Sequence, residues 1–164
     1  MSLHDPRAMR SAFGSFMTGV TVVTARTDIG TPVGFTANSF TSVSLDPPLL
    51  LVCPGNSLSS YEIFARCEHF AVNVLAKCQR DVADVFAGDT SDRFAKVAHI
   101  KNTRGVPLIT GALAQFSCIA EQRVEAGDHL ILIGRVEAFA HSGGEGLGFA
   151  QGAYFSLPDM PISA

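Results

Sequence analysis

The sequence is poor in charge and lacks the common local fingerprints of catalysis. Asp, Glu, Lys and Arg make up 16% of its 164 residues, and there is no tryptophan. The 12 basic side chains are scattered from Arg7 to Arg135 without a run or stripe, and against 15 acidic ones they leave a formal net charge of −3. That balance argues against nucleic acid or an anionic membrane as the main partner. The four cysteines, Cys53, Cys67, Cys78 and Cys118, form no CxxC pair, so the expectation is reduced thiols in a cytoplasmic protein. No apolar stretch reaches the ~18–20 residues a membrane helix needs. The opening MSLHDPRAMRSAF has no apolar core followed by a cleavage site, so no signal peptide is expected. GxGxxG after a first strand, GxxxxGKS/T, HExxH and GxSxG are all missing. The histidines at 4, 69, 99, 129 and 141 have no ligand spacing, so no metal is expected.

What is present is enough apolar residue, 47% of the chain, for one domain over 1–164. A chain of this length buries roughly 68–70% of its unfolded surface and needs no staple. Asp5 suits an N-cap and Pro6 the first helical position. Met9, Phe13, Phe16 and Met17 then recur as one apolar stripe, with Gly19 placed to end the helix. Residues 20–26 read as a Val/Thr-rich strand, turning at 28–30 into a return strand from Pro32. The stretch 36–44 is small and polar and ends at Asp46-Pro47-Pro48. Residues 49–53 read as a continuous buried strand, 61–65 as a short helix, 70–75 as an alternating strand and 79–87 as a helix closed by Gly88. Residues 91–111 look irregular, with room for a short strand near Ala98. Apolar residues at even positions from Ala112 to Val124 predict a long half-buried strand, and 129–141 its hairpin partner. A last strand is expected within 152–157. Strands dominate without regular β-α-β alternation, which predicts a mainly β, antiparallel barrel with a few peripheral helices.

Three segments have chemistry to offer. TANSFTS, at 36–42, sets hydroxyls, an amide and small side chains between apolar strands, so a flat polar ring can approach the backbone closely. An ordinary polar loop is the plain alternative. NSLSS, at 56–60, opens a helix whose free N–H groups and hydroxyls suit a phosphate, or simply cap the helix. Arg93 and Lys96, further on, are candidate phosphate partners or solvated cations. Gly127-Asp128-His129 joins the two long strands. There Asp128 can orient the His129 ring toward a ligand at the barrel end, or the triplet is a hairpin with a surface histidine.

In this order the segments resemble the flavin reductase domain of the FMN-binding split-barrel superfamily. The resemblance runs through MTGVTVVTA from Met17, GFTANSFTSVSLDPPLLLVC from Gly34, the Asn/Ser cluster with YE, and HFAVNVL from His69. DRFA from Asp92, GDH with the following GxV, and a terminal GxY ending at Tyr154 complete it. By pattern and length the chain is similar to the short reductase components of two-component flavin-dependent monooxygenases. The resemblance implies a split β-barrel, usually a homodimer with flavin at the interface. It also implies hydride transfer from NADH or NADPH to FMN or FAD, with the reduced flavin passing to a separate oxygenase. By motif it places Thr36, Ala37, Asn38 and Ser39 along the flavin ring with Ser42 and Cys53 nearby. Ser57, Ser59 and Ser60 fall at the flavin phosphate and Arg93 at its polar tail. His129, oriented by Asp128, falls beside the nicotinamide as the catalytic candidate, with Tyr154 near the same face. A flavin sensor or carrier without turnover, and a reductase of ferric iron or another acceptor that keeps its FMN, are the rival readings.

Overall fold

The computed structural model describes residues 5–88 and 92–156, and the expectations at His4, Ser91 and Leu157 fall outside them. The elements in chain order are α1 (Pro6–Phe13), β1 (Thr18–Gly19), β2 (Thr21–Arg26), β3 (Pro32–Ala37), β4 (Thr41–Leu45), β5 (Pro48–Val52), α2 (Tyr61–Arg66), β6 (His69–Val74), a 3-10 turn (Lys77–Gln79), α3 (Arg80–Ala87), α4 (Arg93–Lys96), β7 (His99–Lys101), β8 (Pro107–Ile109), β9 (Ala114–Ala126), β10 (His129–His141), β11 (Gly148–Ala150) and β12 (Ala153–Phe155).

Seven strands form one antiparallel sheet in the order β3-β2-β6-β9-β10-β5-β4. Its two edge strands, β3 and β4, are consecutive in sequence and joined only by Asn38, Ser39 and Phe40. Six strand spacings laid flat would separate those edges by about 29 Å. Four residue steps reach no more than about 14 Å. The sheet therefore curls until its edges meet at the 38–40 turn, leaving an unpaired seam between β3 and β4. That is a split-barrel arrangement, antiparallel as the patterning predicts and split as the resemblance implies.

The barrel interior holds Phe35, Leu50, Val52, Phe64, Phe70, Val72 and Leu132, with α2 as a plug through Phe64. A second core lies outside, where Val20, Val22, Leu75 and Ile109 meet Ala83 and Phe86 of α3. β2 feeds both cores, Val23 and Ala25 inward and Val22 outward. β6 is covered on both faces too. Its Asn73 donates from Nδ2 to Val22 O at 2.9 Å and accepts from Ile109 N at 2.9 Å, which fastens the β7–β8 pair to the barrel. The long hairpin runs past its neighbours. β6 pairs with β9 only at 114–119, and β5 with β10 only at 132–135.

Several expectations change. Asp5 caps α1 from its side chain as expected, at 2.9 Å to Arg7 N. The helix ends at Phe13 rather than near Gly19, because Thr18 is drawn into a ladder with Phe149. The Met9, Phe13, Phe16 and Met17 side chains are exposed, not packed. The polar stretch 36–44 is mostly extended, as the end of β3 and most of β4. β5 alternates, with Leu50 and Val52 buried and Leu49 and Leu51 half-buried, while β6 is buried without a break from Phe70 to Asn73. Gly88 does follow α3, but in an extended conformation. Residues 93–109 contain α4, β7 and β8, and the C-terminal strand is a hairpin of two.

Candidate functional site

The seam and the start of the long hairpin bring most of the chemistry-bearing segments to one rim. Ser39, in the turn that joins the barrel's edges, accepts a bond from Cys53 N at 2.9 Å, just past β5. Burial raises the Cys53 thiol above its ordinary range, and the Ser39 contact offsets part of that. The chain continues through Pro54 and Gly55, onto which the 127–129 turn docks. Leu130 N bonds to Pro54 O and Asn56 N to Asp128 O, both at 2.9 Å, with Gly55 bridged to His129. Gly127 takes φ +63°, which the two-residue hairpin turn needs.

His129 is half exposed, and its Nδ1 lies 2.7 Å from Asp128 Oδ1. An ionised carboxylate only accepts, so Nδ1–H is the donor and Nε2 is the free ring nitrogen. The bond with His129, followed by its charge, holds the Asp128 carboxyl below its ordinary range. Asp128 thus sets the tautomer and orientation of the ring. Nε2 lies over Gly55, where an added Cβ would sit 3.3 Å from it.

On the other side of the 38–39 turn is a cleft of about 180 Å³ lined by Val20, Thr36, Ala37, Asn38, Ala87, Phe149 and Tyr154. The Thr36 hydroxyl donates to Ala83 O of α3 at 2.6 Å, so it anchors the cleft floor. Ala37 is buried and Asn38 exposed. Tyr154 meets Phe149 edge-on at 5.5 Å between centroids. Burial first, and the facing Asp84 carboxylate second, raise its hydroxyl pKa.

The remaining expected residues are more dispersed. Ser57 and Ser59 are exposed just after Asn56. Ser60 is buried at the N-cap of α2, makes no side-chain cap, and its Oγ has no hydrogen-bond partner among the described residues. Arg93 donates from Nη1 to Gly34 O at 2.9 Å and from Nη2 to Gly88 O at 2.7 Å, while its buried Nε has no partner among the described residues. Much of its guanidinium therefore ties α4 to β3 and the end of α3. Ser42 is exposed on β4 beside the irregularity between Ser42 and Ser44. A larger cavity of about 460 Å³, bordered by Arg26, Glu62, Arg66 and His69, contains none of the expected site residues.

A flavin is a flat polar ring on a phosphate-bearing tail, and these residues fit it. β3 and β4 leave backbone at the seam unpaired with each other, and among the described residues Ser60 Oγ and Arg93 Nε are buried polar atoms without hydrogen-bond partners. Sequence reasoning missed Ala87 and Phe149 in the cleft wall, and Arg80 and Asp84 behind Tyr154. Arg80 and Asp84 stand four apart on α3, a spacing that flags a shared helix face.

Comparison with known proteins identifies a family. The profile of the flavin reductase like domain matches residues 13–158. A probable flavin reductase of Rhizobium meliloti (strain 1021) is 55% identical over 162 residues, 98% of this chain and 52% of that protein. The reductase component of the flavin-dependent trigonelline monooxygenase of Acinetobacter baylyi is 56% identical over 150 residues, 92% of this chain and 48% of that protein. The chain thus spans about half the length of these curated relatives. A Streptomyces globisporus C-1027 NADH:FAD oxidoreductase, solved in complex with NAD and FAD fragments, superposes with a TM-score of 0.88 at 38% identity, covering 100% of both chains.

Proposed function

The chain belongs to the flavin reductase-like domain family, and from that premise we propose that it is an NAD(P)H:flavin oxidoreductase supplying reduced FMN or FAD to a partner monooxygenase. The single observation that carries this reading is the junction at 38–39. There the cleft under Tyr154 and the rim bearing His129 adjoin across one short turn, so a ring at the seam would lie between them. The similarity to a monooxygenase reductase component supports the reductase role, and that to an NADH:FAD oxidoreductase supports a nicotinamide-to-flavin direction.

The chemistry is passage of a hydride from nicotinamide C4 to flavin N5, which takes two electrons and one proton together and leaves the oxidised nicotinamide. The cofactors carry that reactivity, and the chain's work is positional. Residues 37–39 would present backbone and the Asn38 amide to the flavin ring, where polar donors favour the charge that builds up on reduction. Ser42 and Cys53 would border the same ring. Ser57, Ser59 and Ser60 would hold the phosphate at the head of α2, and Arg93 would offer its Nε to the polar tail. His129, held by Asp128, would sit beside the nicotinamide and orient it, with Tyr154 near the same face.

We assign the oligomer as a homodimer with the flavin at its interface. The exposed apolar side chains of Phe13, Phe16, Leu45 and Phe139 support this reading. Phe139 ends an aromatic stack through Phe116 to Phe40, next to the seam. Among the described residues no helix is long and apolar enough to cross a membrane, and a cytoplasmic location is part of the proposal.

The test is NADH and NADPH oxidation with and without free flavin. Turnover that requires added FMN or FAD supports a supplier of diffusible flavin. Flavin binding without turnover under either nucleotide favours a carrier, and turnover on retained FMN with ferric iron favours the other reductase.

A further inference from the structure

Tyr154 forms one wall of the cleft, yet its own strand gives it little hold. β12 is three residues long and pairs only with β11 among the described residues. The turn before it is tied to the turn that follows α1, where Gln151 Nε2 donates to Ser15 Oγ at 2.8 Å and Gln151 N to Gly14 O at 2.9 Å. The ring itself is met by α3. The guanidinium carbon of Arg80 lies 5.6 Å from the ring centroid. The Asp84 carboxylate, one helical turn on, faces the hydroxyl and pairs with Arg80 Nε at 3.8 Å. The next residue back, Ala83, is the one whose carbonyl receives the Thr36 hydroxyl, and Ala87 lines the cleft. One helix therefore fixes the floor through Thr36 and the wall through Tyr154.

We propose that Arg80 and Asp84 are positioning residues that hold the Tyr154 ring at the cleft and so set how tightly the nicotinamide nucleotide docks. The inference rests on the reading that the nicotinamide docks beside Tyr154 at the mouth of this cleft, against the flavin ring on residues 37–39. Both side chains are more than half exposed. An exposed ion pair contributes little to folding, so their effect on docking is separable from any effect on stability.

The experiment is a mutant cycle in the full chain with saturating free flavin. Arg80→Ala and Asp84→Ala each raise the KM for NADH about two- to fivefold, the range an exposed cation over an aromatic face is worth, with kcat held. In a Tyr154→Ala background neither adds a further rise. Arg80→Lys, which keeps a cation over the ring, restores most of the affinity. A KM that does not rise in the single variants, or that rises by the same factor without Tyr154, overturns the proposal.

A second readout needs no turnover. The chain has two tyrosines, so Tyr61→Phe leaves Tyr154 alone to report in an ultraviolet titration. Asp84→Asn removes a negative charge facing the hydroxyl and lowers its midpoint. An unmoved midpoint removes the contact and overturns the positioning role while leaving the cleft reading intact. If Tyr154→Ala itself leaves the KM for NADH unchanged, the cleft reading fails and the proposal falls with it.

Discussion

Gly55 and His129 face each other across a bridge between the end of β5 and the start of β10, with His129 Nε2 over the glycine. A Cβ at position 55 would sit 3.3 Å from that nitrogen and 3.6 Å from the adjacent ring carbon. The ring's place is thus set from two sides, by Asp128 at Nδ1 and by the bare backbone of Gly55 beneath Nε2.

Gly55→Ala therefore displaces the imidazole without removing it. Displacements near 1 Å at a reacting centre cost on the order of 10²-fold, and this contact calls for a fraction of that, so kcat/KM for NADH is expected to fall by roughly two- to tenfold. His129→Ala slows NADH oxidation with flavin affinity little changed. Steady-state kinetics beside flavin fluorescence titration checks both, and unchanged kinetics in both variants would take His129 out of the site.

Gly134 stands where the β9–β10 ladder shifts register, and a Cβ there would run into the Phe70 ring. Phe70 is fully buried inside the barrel, so it has no solvent to move into. Gly134→Ala is expected to destabilise the fold by about 1–3 kcal/mol, read as a lower urea midpoint with an unchanged slope.

Asn73 serves a backbone acceptor and a backbone donor in the interior. Asn73→Leu leaves Val22 O and Ile109 N without it, at roughly 1–3 kcal/mol for each orphaned group. Amide exchange should then rise first in β7 and β8, which this residue fastens to β6. A loss of protection spread evenly over the chain would contradict that assignment.

Cys67 and Cys118 are buried thiols pushed by burial to about 11 and about 12. In the unfolded chain both ionise near 9.0. The folded state keeps those protons longer, so this contribution is full below pH 9.0 and is lost as pH rises toward the folded values. Urea denaturation across that alkaline window should show falling stability, and Cys118→Ala should flatten the fall. At neutral pH a thiol reagent should modify exposed Cys78 first and leave Cys67 and Cys118 untouched until unfolding.

How legible all this was in the sequence varied by element. Period-two patterning located β9 and the turn at 125–128 its partner β10, but the half-buried alternation expected to Val124 gives way to exposure on both faces over 121–126, where the hairpin runs past its neighbours. The Asp5-Pro6 start of α1 was legible because capping is local. Its end was not. Phe16 and Met17 continue the helical stripe in sequence, but the ladder between Thr18 and Phe149 ends the helix from 130 residues away. β4 read as a polar loop because it is an exposed edge strand, and exposure gives a strand the composition of a loop. β11 was missed because Gly148–Ala150 follows a glycine-rich stretch and is made a strand by its pairing with β1 and β12, partners that only the fold supplies.

In the site, the contiguous motifs at 36–39, 56–60 and 127–129 were legible, and the bond partners were not. Nothing local says that Thr36 spends its hydroxyl on Ala83, that Arg93 holds Gly34 and Gly88, or that α3 reaches Tyr154. Those contacts exist only once the sheet has curled and α3 has settled on its outer face.

The most direct test of the proposed reductase is anaerobic mixing of the purified chain with NADH and free FMN or FAD, following loss of the oxidised flavin's absorbance. Bleaching of flavin in excess over protein, at one nucleotide oxidised per flavin and slowed by His129→Ala, is the predicted result. Oxidised flavin that binds but persists with both NADH and NADPH would contradict it.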